Sequence, residues 1–463
     1  MKQKEHIGLV TMASYGMGKY LAEFLTGAFG AVVYKFYETE IGLAPLYAAI
    51  ATIIYSVWNA VNDPLIGYLT NKGAPFSARL GRRFPWILLG LIITAVTFIL
   101  IFFVPQSLID QVRTRPLPVF LWMVITICIF DTSYSLWELN YQSIFPDKFR
   151  TQEVRAKSAG ISTAVGVLGI ASGFIIPPLF FSYGVIDSYK TSAIVVGAIT
   201  FFGILLLLQG IRENEGMIER FKAHREEHTA AAGGFMTLLK KSLRHRDLTA
   251  FLILLFLYQS ATMCMTSSIH YVADYILEVD SSGTTTIFAG MLVGTLASIP
   301  IWLTFSKKGL NNQNMLSITA VVMAMFAFPM TFITTINGFT IAMTLWGIGF
   351  GGFWTFMGPA MADIVDEIVV LEGRRDDGVL MGIRAFFMRF SYATQALVFY
   401  LVHEATSFDP SKVTSLAKMG ISLHMAAIPA FFLLLGALIF SHMNTLDEKR
   451  IAANKEKLAT LDI

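Results

Sequence analysis

Residues Trp58-Asn59-Ala60-Val61-Asn62-Asp63-Pro64 sit inside an apolar stretch, 45–70, that is long enough to cross a bilayer. A carboxylate at bilayer depth costs about 2.5–3.5 kcal/mol even on the lenient insertion scale. Asn59, Asn62 and Asp63 are at i, i+3 and i+4 and share one helix face. Such an oxygen-rich patch suits a small cation or a proton. Pro64 removes a backbone donor and lets the helix bend beside Asp63.

The same pattern recurs along the chain. The 463 residues are 55% hydrophobic and 14% charged, with 38 Phe and 36 Gly, a balance that excludes an ordinary soluble domain. Twelve apolar runs of about 20 residues or more lie near 7–34, 45–70, 84–104, 117–144, 158–182, 190–210, 248–275, 285–305, 313–334, 338–363, 379–402 and 420–442. Twenty-six of the 35 Lys and Arg fall in alternate connecting segments, so the positive-inside rule puts both termini in the cytoplasm. The expected location is the cell membrane, with multiple passes.

The longest polar break, 211–247, divides the chain into an N-terminal six-helix bundle (1–210), a cytoplasmic central loop and a C-terminal six-helix bundle (248–463) with a short tail. Within that loop, Phe235 to Leu243 reads as a short amphipathic helix. Weak similarity between the halves points to a duplication. The expected class is an all-α integral membrane protein of major-facilitator architecture, with parallel halves around a midplane cavity. Cys128 and Cys264 make no disulfide framework. No phosphate loop, Walker pattern or His/Cys cluster supports an enzyme or an ATP-driven pump. The net charge of +3 gives no reason to expect nucleic acid. The expected partners are the bilayer and a small solute, the protein a monomer, with no cofactor beyond a coupling ion.

Several quoted stretches resemble the glycoside–pentoside–hexuronide:cation symporters, the major-facilitator family that includes the melibiose permease. They are Asn62-Asp63-Pro64-Leu65-Ile66-Gly67-Tyr68, Gly81-Arg82-Arg83-Phe84-Pro85-Trp86, Ala362-Asp363-Ile364-Val365-Asp366 with Glu372-Gly373-Arg374-Arg375, and Ser14-Tyr15-Gly16-Met17-Gly18. The resemblance implies cation-coupled uptake of a sugar, glycoside or uronate by alternating access. It places Asp63 on the family's cation-site aspartate, and Asn59 where sodium-coupled members have a second carboxylate. Glu23 falls on a substrate-binding acid and Arg389 on a lysine linking the cation and sugar sites. Asp131 and Trp137 loosely match the acid and aromatic of the fourth span. The family's sugar-binding arginine of the fifth span has no counterpart, because 158–182 holds no charge.

The residues also have readings of their own. Lys19 and Glu23 are i, i+4 and either pair with each other or bind solute. Asp131, Tyr134, Ser135, Glu138 and Gln142 form a polar stripe expected to line a cavity. Trp137 beside it either stacks on a sugar ring or simply packs. Arg384 and Arg389 are substrate ligands for an acidic sugar, or counter-ions to the buried acids. Arg82 and Arg83, with Arg79, are expected to form an inner gate by pairing with helix C-terminal carbonyls. Asp363 and Asp366 are expected at the end of the tenth span beside Arg374 and Arg375. Because Asn59 is an amide, a proton is favoured over sodium at Asp63. The nearest rival to a sugar symporter is a lysolipid or other amphiphile carrier of the same fold. A non-transporting membrane sensor is a more distant one.

Overall fold

Apolar runs of this length fold as helices because a helix satisfies its own backbone hydrogen bonds where no water can. A computed structural model describes residues 8–71, 80–214, 216–218, 242–307, 310–373 and 377–460. The described residues are almost entirely helical. In chain order the helices are α1 (Leu9–Lys35), α2 (Pro45–Asn71), α3 (Phe84–Phe102), α4 (Pro116–Lys148), α5 (Gln152–Ile175) and α6 (Ile186–Ile211). There follow α7 (Arg246–Tyr275), α8 (Ser281–Lys307), α9 (Asn312–Ala327), α10 (Ile336–Glu372), α11 (Asp377–Arg389), α12 (Ser391–Ala405), α13 (Ser415–Ser422), α14 (Ile428–Met443) and α15 (Glu448–Thr460). Each apolar run coincides with one of these helices or a tandem pair. The eleventh run is α11 and α12 meeting at Phe390, and the twelfth is α13 and α14 joined by a π-helical turn, Leu423–Ala427.

Ten spans among the described residues are long and apolar enough to cross a membrane. The two other long helices are α1 and α2, of 27 residues each. These carry Lys19 and Glu23, and Asn59, Asn62 and Asp63. The polar groups that single them out for function are also what lowers their hydropathy.

The helices form two compact units, one holding α1–α6 and the other α7–α15, with Asp280–Thr285, the start of α8 and the residue before it, grouped with the first unit. In the first unit α1 packs along α5, and α4 lies against both α2 and α3. The α1–α5 contact is close because of glycine. A Cβ on Gly169 would sit 2.4 Å from the Tyr20 carbonyl oxygen. This explains the charge-free fifth span as a packing partner of α1. In the second unit α7 packs on α14, and α9 on α10. The expected helix Phe235 to Leu243 lies, apart from Ser242 and Leu243, outside the described residues.

One expectation is corrected. Helix α10 runs to Glu372, so Asp363 and Asp366 lie within its last turns rather than at its end. Arg374 and Arg375 lie outside the described residues. Lys35, the last residue of α1, is buried, its ammonium 3.2 Å from Glu40 across a π-helical turn, Phe36–Glu40.

Candidate functional site

The oxygen-rich face of α2 meets the polar stripe of α4. Asn59, Asn62, Asp131 and Ser135 are buried, and Asp63 is partly so. Asn62 donates its amide N–H to the Asp131 carboxylate at 3.3 Å. The Ser135 hydroxyl donates to Asp63 at 2.5 Å. Asn59 donates to the Tyr55 hydroxyl at 3.3 Å, one turn back. A second link, Trp58 Nε1 to the Thr132 hydroxyl at 3.0 Å, holds α2 against α4 on the more exposed side.

The contact with Asp131 orients Asn62. Its NH2 must face a carboxylate, so its Oδ1 points elsewhere. That Oδ1, and the Oδ1 of Asn59, are buried and take no hydrogen bond. An unsatisfied buried acceptor costs about 1–3 kcal/mol, and two such oxygens on one helix face, in the same polar patch as two carboxylates, are of the kind that a hard cation takes. Asp131 of α4 brings a second carboxylate to the α2 face, one that spacing along α2 could not supply.

The rest of the stripe serves a second cluster. The Lys19 ammonium lies 2.6 Å from Glu23, so the expected i, i+4 pair forms, and Glu138 is near enough to act on Lys19. Glu138 in turn accepts from Gln142. Lys19 is half-exposed and Glu23 about a quarter exposed. This open face carries one cation and two carboxylates. Tyr134 bridges towards α1, its hydroxyl 3.4 Å from the Ala22 carbonyl.

Trp137 does not line that face. It is fully buried, with its backbone N and Cβ each 2.8 Å from where a Cβ on Gly90 of α3 would be. The reason is rotational. Trp137 is one residue from Glu138, about 100° around the helix, and the glycine opposite leaves room for the indole. The stacking role is therefore replaced by packing.

The loop arginines are held differently from expectation. The Glu213 carboxylate, just past the end of α6, accepts the backbone N–H groups of Arg82, Arg83 and Phe84 at 2.8, 2.5 and 3.2 Å. It thus caps the N-terminus of α3, where an anion is favoured. Gly81 beside it has φ +91°, the left-handed region. Arg83 donates to Asn140 at 2.9 Å, and burial, with Arg82 alongside, pulls its pKa down to about 10. The pairing with helix C-terminal carbonyls is performed by Lys148, whose ammonium reaches Gly210 O at 2.6 Å and Arg212 O at 3.0 Å. Arg79 lies outside the described residues. Glu213 and Lys148 were missed in the sequence because their partners are backbone atoms, which leave no pattern of residue types.

In the second unit Asp363 accepts from Asn312 at 3.0 Å. Its neighbour Glu367 is buried and paired with Arg450 of α15. Asp366 has a partner of its own. Arg384 is half-exposed and pairs with no carboxylate among the described residues, its nearest partner being the Met381 sulfur at 3.9 Å. Arg389 ends α11 at the break in the eleventh span. Interrupted spans are where transporters of this architecture commonly place binding groups. No group of three or more His, Cys, Asp or Glu poised to hold a metal occurs among the described residues.

A family model described as MFS/sugar transport protein matches residues 14–445. The chain belongs to that family. It is a multi-pass membrane protein with the major-facilitator transporter fold. The sodium-dependent lysophosphatidylcholine symporter 1 of Gallus gallus is 21% identical over 99% of this chain and 91% of its own length. The human protein of the same name is 22% identical over 93% and 81%. Among solved structures, the nucleoside transporter NupG superposes with a TM-score of 0.65 at 12% identity, covering 94% of this chain and 99% of that one, a likeness of fold alone.

Proposed function

We propose that this chain is a sodium-coupled symporter of a lysophospholipid or a similar zwitterionic amphiphile. The sugar reading yields to its rival on two grounds. The relatives it matches over most of their length are named for lysophosphatidylcholine, and Trp137, one candidate for stacking on a sugar ring, is buried. The observation that carries the cation half is the pair of orphan amide oxygens, Asn59 Oδ1 and Asn62 Oδ1, beside Asp63 and Asp131. It shifts the choice from proton to sodium. Sodium takes neutral and charged oxygens together, whereas a proton needs one carboxylate and leaves the amide oxygens unsatisfied.

On this reading, the Lys19–Glu23–Glu138 face suits a headgroup that carries both signs. Lys19 would meet the phosphate, and the carboxylates a quaternary ammonium. Arg384, with its planar donor fork, is a second phosphate candidate. Arg82 and Arg83 of the first unit, and Asp363 and Asp366 of the second, are candidate gate residues, each within its own unit, and both termini face the cytoplasm.

The test is uptake into proteoliposomes that lack endogenous lysolipid. Labelled lysophosphatidylcholine and labelled melibiose are offered separately, each with an inward sodium gradient or a choline control. Sodium-stimulated uptake of the lysolipid alone is expected. Sodium-stimulated melibiose uptake would return the assignment to a sugar. Lysolipid uptake driven by a pH gradient and indifferent to sodium would overturn the ion.

A further inference from the structure

A buried histidine pair lies in the second unit, at the end away from α15. His403, two residues before the end of α12, and His424, in the π-helical turn before α14, are both fully buried. Their Nε2 atoms are 3.2 Å apart. The ring of Phe408 stacks on His403 at 4.4 Å, Phe399 lies 4.3 Å from His424, and Tyr271 of α7 is 5.4 Å from the first and 5.7 Å from the second. π-Turns within helices occur frequently at functional positions.

Ser268 of α7 fixes the protons. Its hydroxyl lies 2.5 Å from the Cys264 carbonyl and 2.6 Å from His424 Nδ1. A carbonyl only accepts, so the serine proton goes to Cys264 O and the serine oxygen must accept from His424 Nδ1–H. The neutral His424 therefore presents a lone pair at Nε2, and His403 donates its Nε2–H to it. This one N–H···N bond ties α12 to the turn leading into α14. A first added proton can be shared across the bond. A second leaves two N–H groups facing each other, and the contact must open.

The charged and titratable groups on the packed elements are few. Helix α12 itself carries Glu404, which is exposed, and Asp409 of the following loop accepts from Ser411. Helix α13 carries Lys418, held by Glu278 at 2.7 Å. Helix α12 also carries Tyr400, α7 adds Cys264, His270, Tyr271, Asp274 and Tyr275 towards this end, and α11 adds Arg384 and Arg389, more than a dozen residues before His403. Helix α14 adds only His442 at its far end, and the 3-10 turn Phe328–Phe332 adds none. The rings of Phe399, Phe408 and Tyr271 against the pair solvate charge less well than water does, so a second positive charge there favours opening.

We propose that the His403–His424 pair is an acid-operated latch. Neutral, it holds α12 to the π-turn and α14. Protonated, it releases them and loosens that end of the second unit. The sodium site plays no part in the argument.

Cys264 reports on the latch, being fully buried beside Ser268. With Cys128→Ser removing the other thiol, Cys264 is labelled by a pyridyl disulfide, which reacts at acid pH, in the full-length protein in nanodiscs. Rates are normalised to the denatured chain at each pH. Between pH 7.5 and 5.5 the normalised rate is expected to rise, by up to about tenfold per pH unit for each proton taken up. In His403→Gln and His424→Gln the rise should disappear. Two variants are used because His424→Gln, next to Ser268, is the more disruptive. A flat profile in the parent, or an undiminished rise in either folded variant, would overturn the latch.

Discussion

Two sets of membrane-embedded acids differ in how they are satisfied. At the far end of α10, Asp363 is met by Asn312, Glu367 by Arg450, and Glu372 by His245 at 2.8 Å. The carboxylates there are taken up by the protein's own donors. Between α2 and α4, Asp63 and Asp131 are met by a hydroxyl and an amide, and the amide's own oxygen is left over. The first set staples helices, because it joins α10 to α7, α9 and α15. The second keeps acceptors in reserve. Buried acceptors left without a donor beside an acid offer room for a ligand, whereas an acid met by a neighbouring helix's donor joins helices.

The largest test of that contrast is Asp63→Asn. It removes one of two charges from the α2–α4 site and should abolish sodium-driven accumulation, by ten-fold or more on the order of a lost charged ligand, while expression and melting temperature hold. Sodium-stimulated uptake by this variant at the parent rate would place the ion elsewhere. Asp131→Asn should behave in the same way but less severely, as Asn62 can still bond an amide.

The reverse is expected in α10. Arg450→Ala leaves the buried Glu367 carboxylate without its counter-ion, which should cost about 1–3 kcal/mol and lower the melting temperature in detergent. The sodium dependence of uptake should be unchanged. If the apparent sodium affinity moves and stability does not, the distinction between stapling and coordinating acids fails.

Lys19→Gln sharpens the comparison within the first unit. Its pair with Glu23 is half-exposed, so little stability is at stake, about 0–1 kcal/mol. A competition assay should show weaker binding of phosphate-bearing lysolipids, with monoacylglycerol unaffected. Equal loss for both would make Lys19 a structural partner of Glu23.

The smallest effect concerns Glu278, an exposed residue at the opposite end of the second unit. Lys418 holds its carboxyl below the ordinary value of 4.5 through a hydrogen bond and its charge. A carboxyl pulled down on folding adds stability above its unfolded value and loses it as the pH falls through the folded one. Glu278→Gln should therefore lower the melting temperature slightly at pH 7, with the gap closing below pH 4.5. A gap that widens towards acid would reverse the sign.

The sequence by itself determined the twelve apolar runs, though not all of their limits, the tenth helix running nine residues past its run. Bilayer thickness and backbone hydrogen bonding leave a chain of this hydropathy no other solution. It also picked out Asn59, Asn62 and Asp63, since i, i+3, i+4 spacing on one helix is local geometry. What lay between helices was beyond it. Asp131 could be placed on a polar stripe, but only packing turned that stripe towards α2 and set the carboxylate against the Asn62 amide. Trp137 looked equally fit for stacking or packing, and the glycine at position 90, 47 residues earlier in the chain, decided it. Glu213, Lys148 and the His403–His424 pair left no trace in spacing, because each depends on a backbone atom or a side chain from another helix. Tertiary structure alone decides such contacts, since rotation about a helix axis is set by what packs against it.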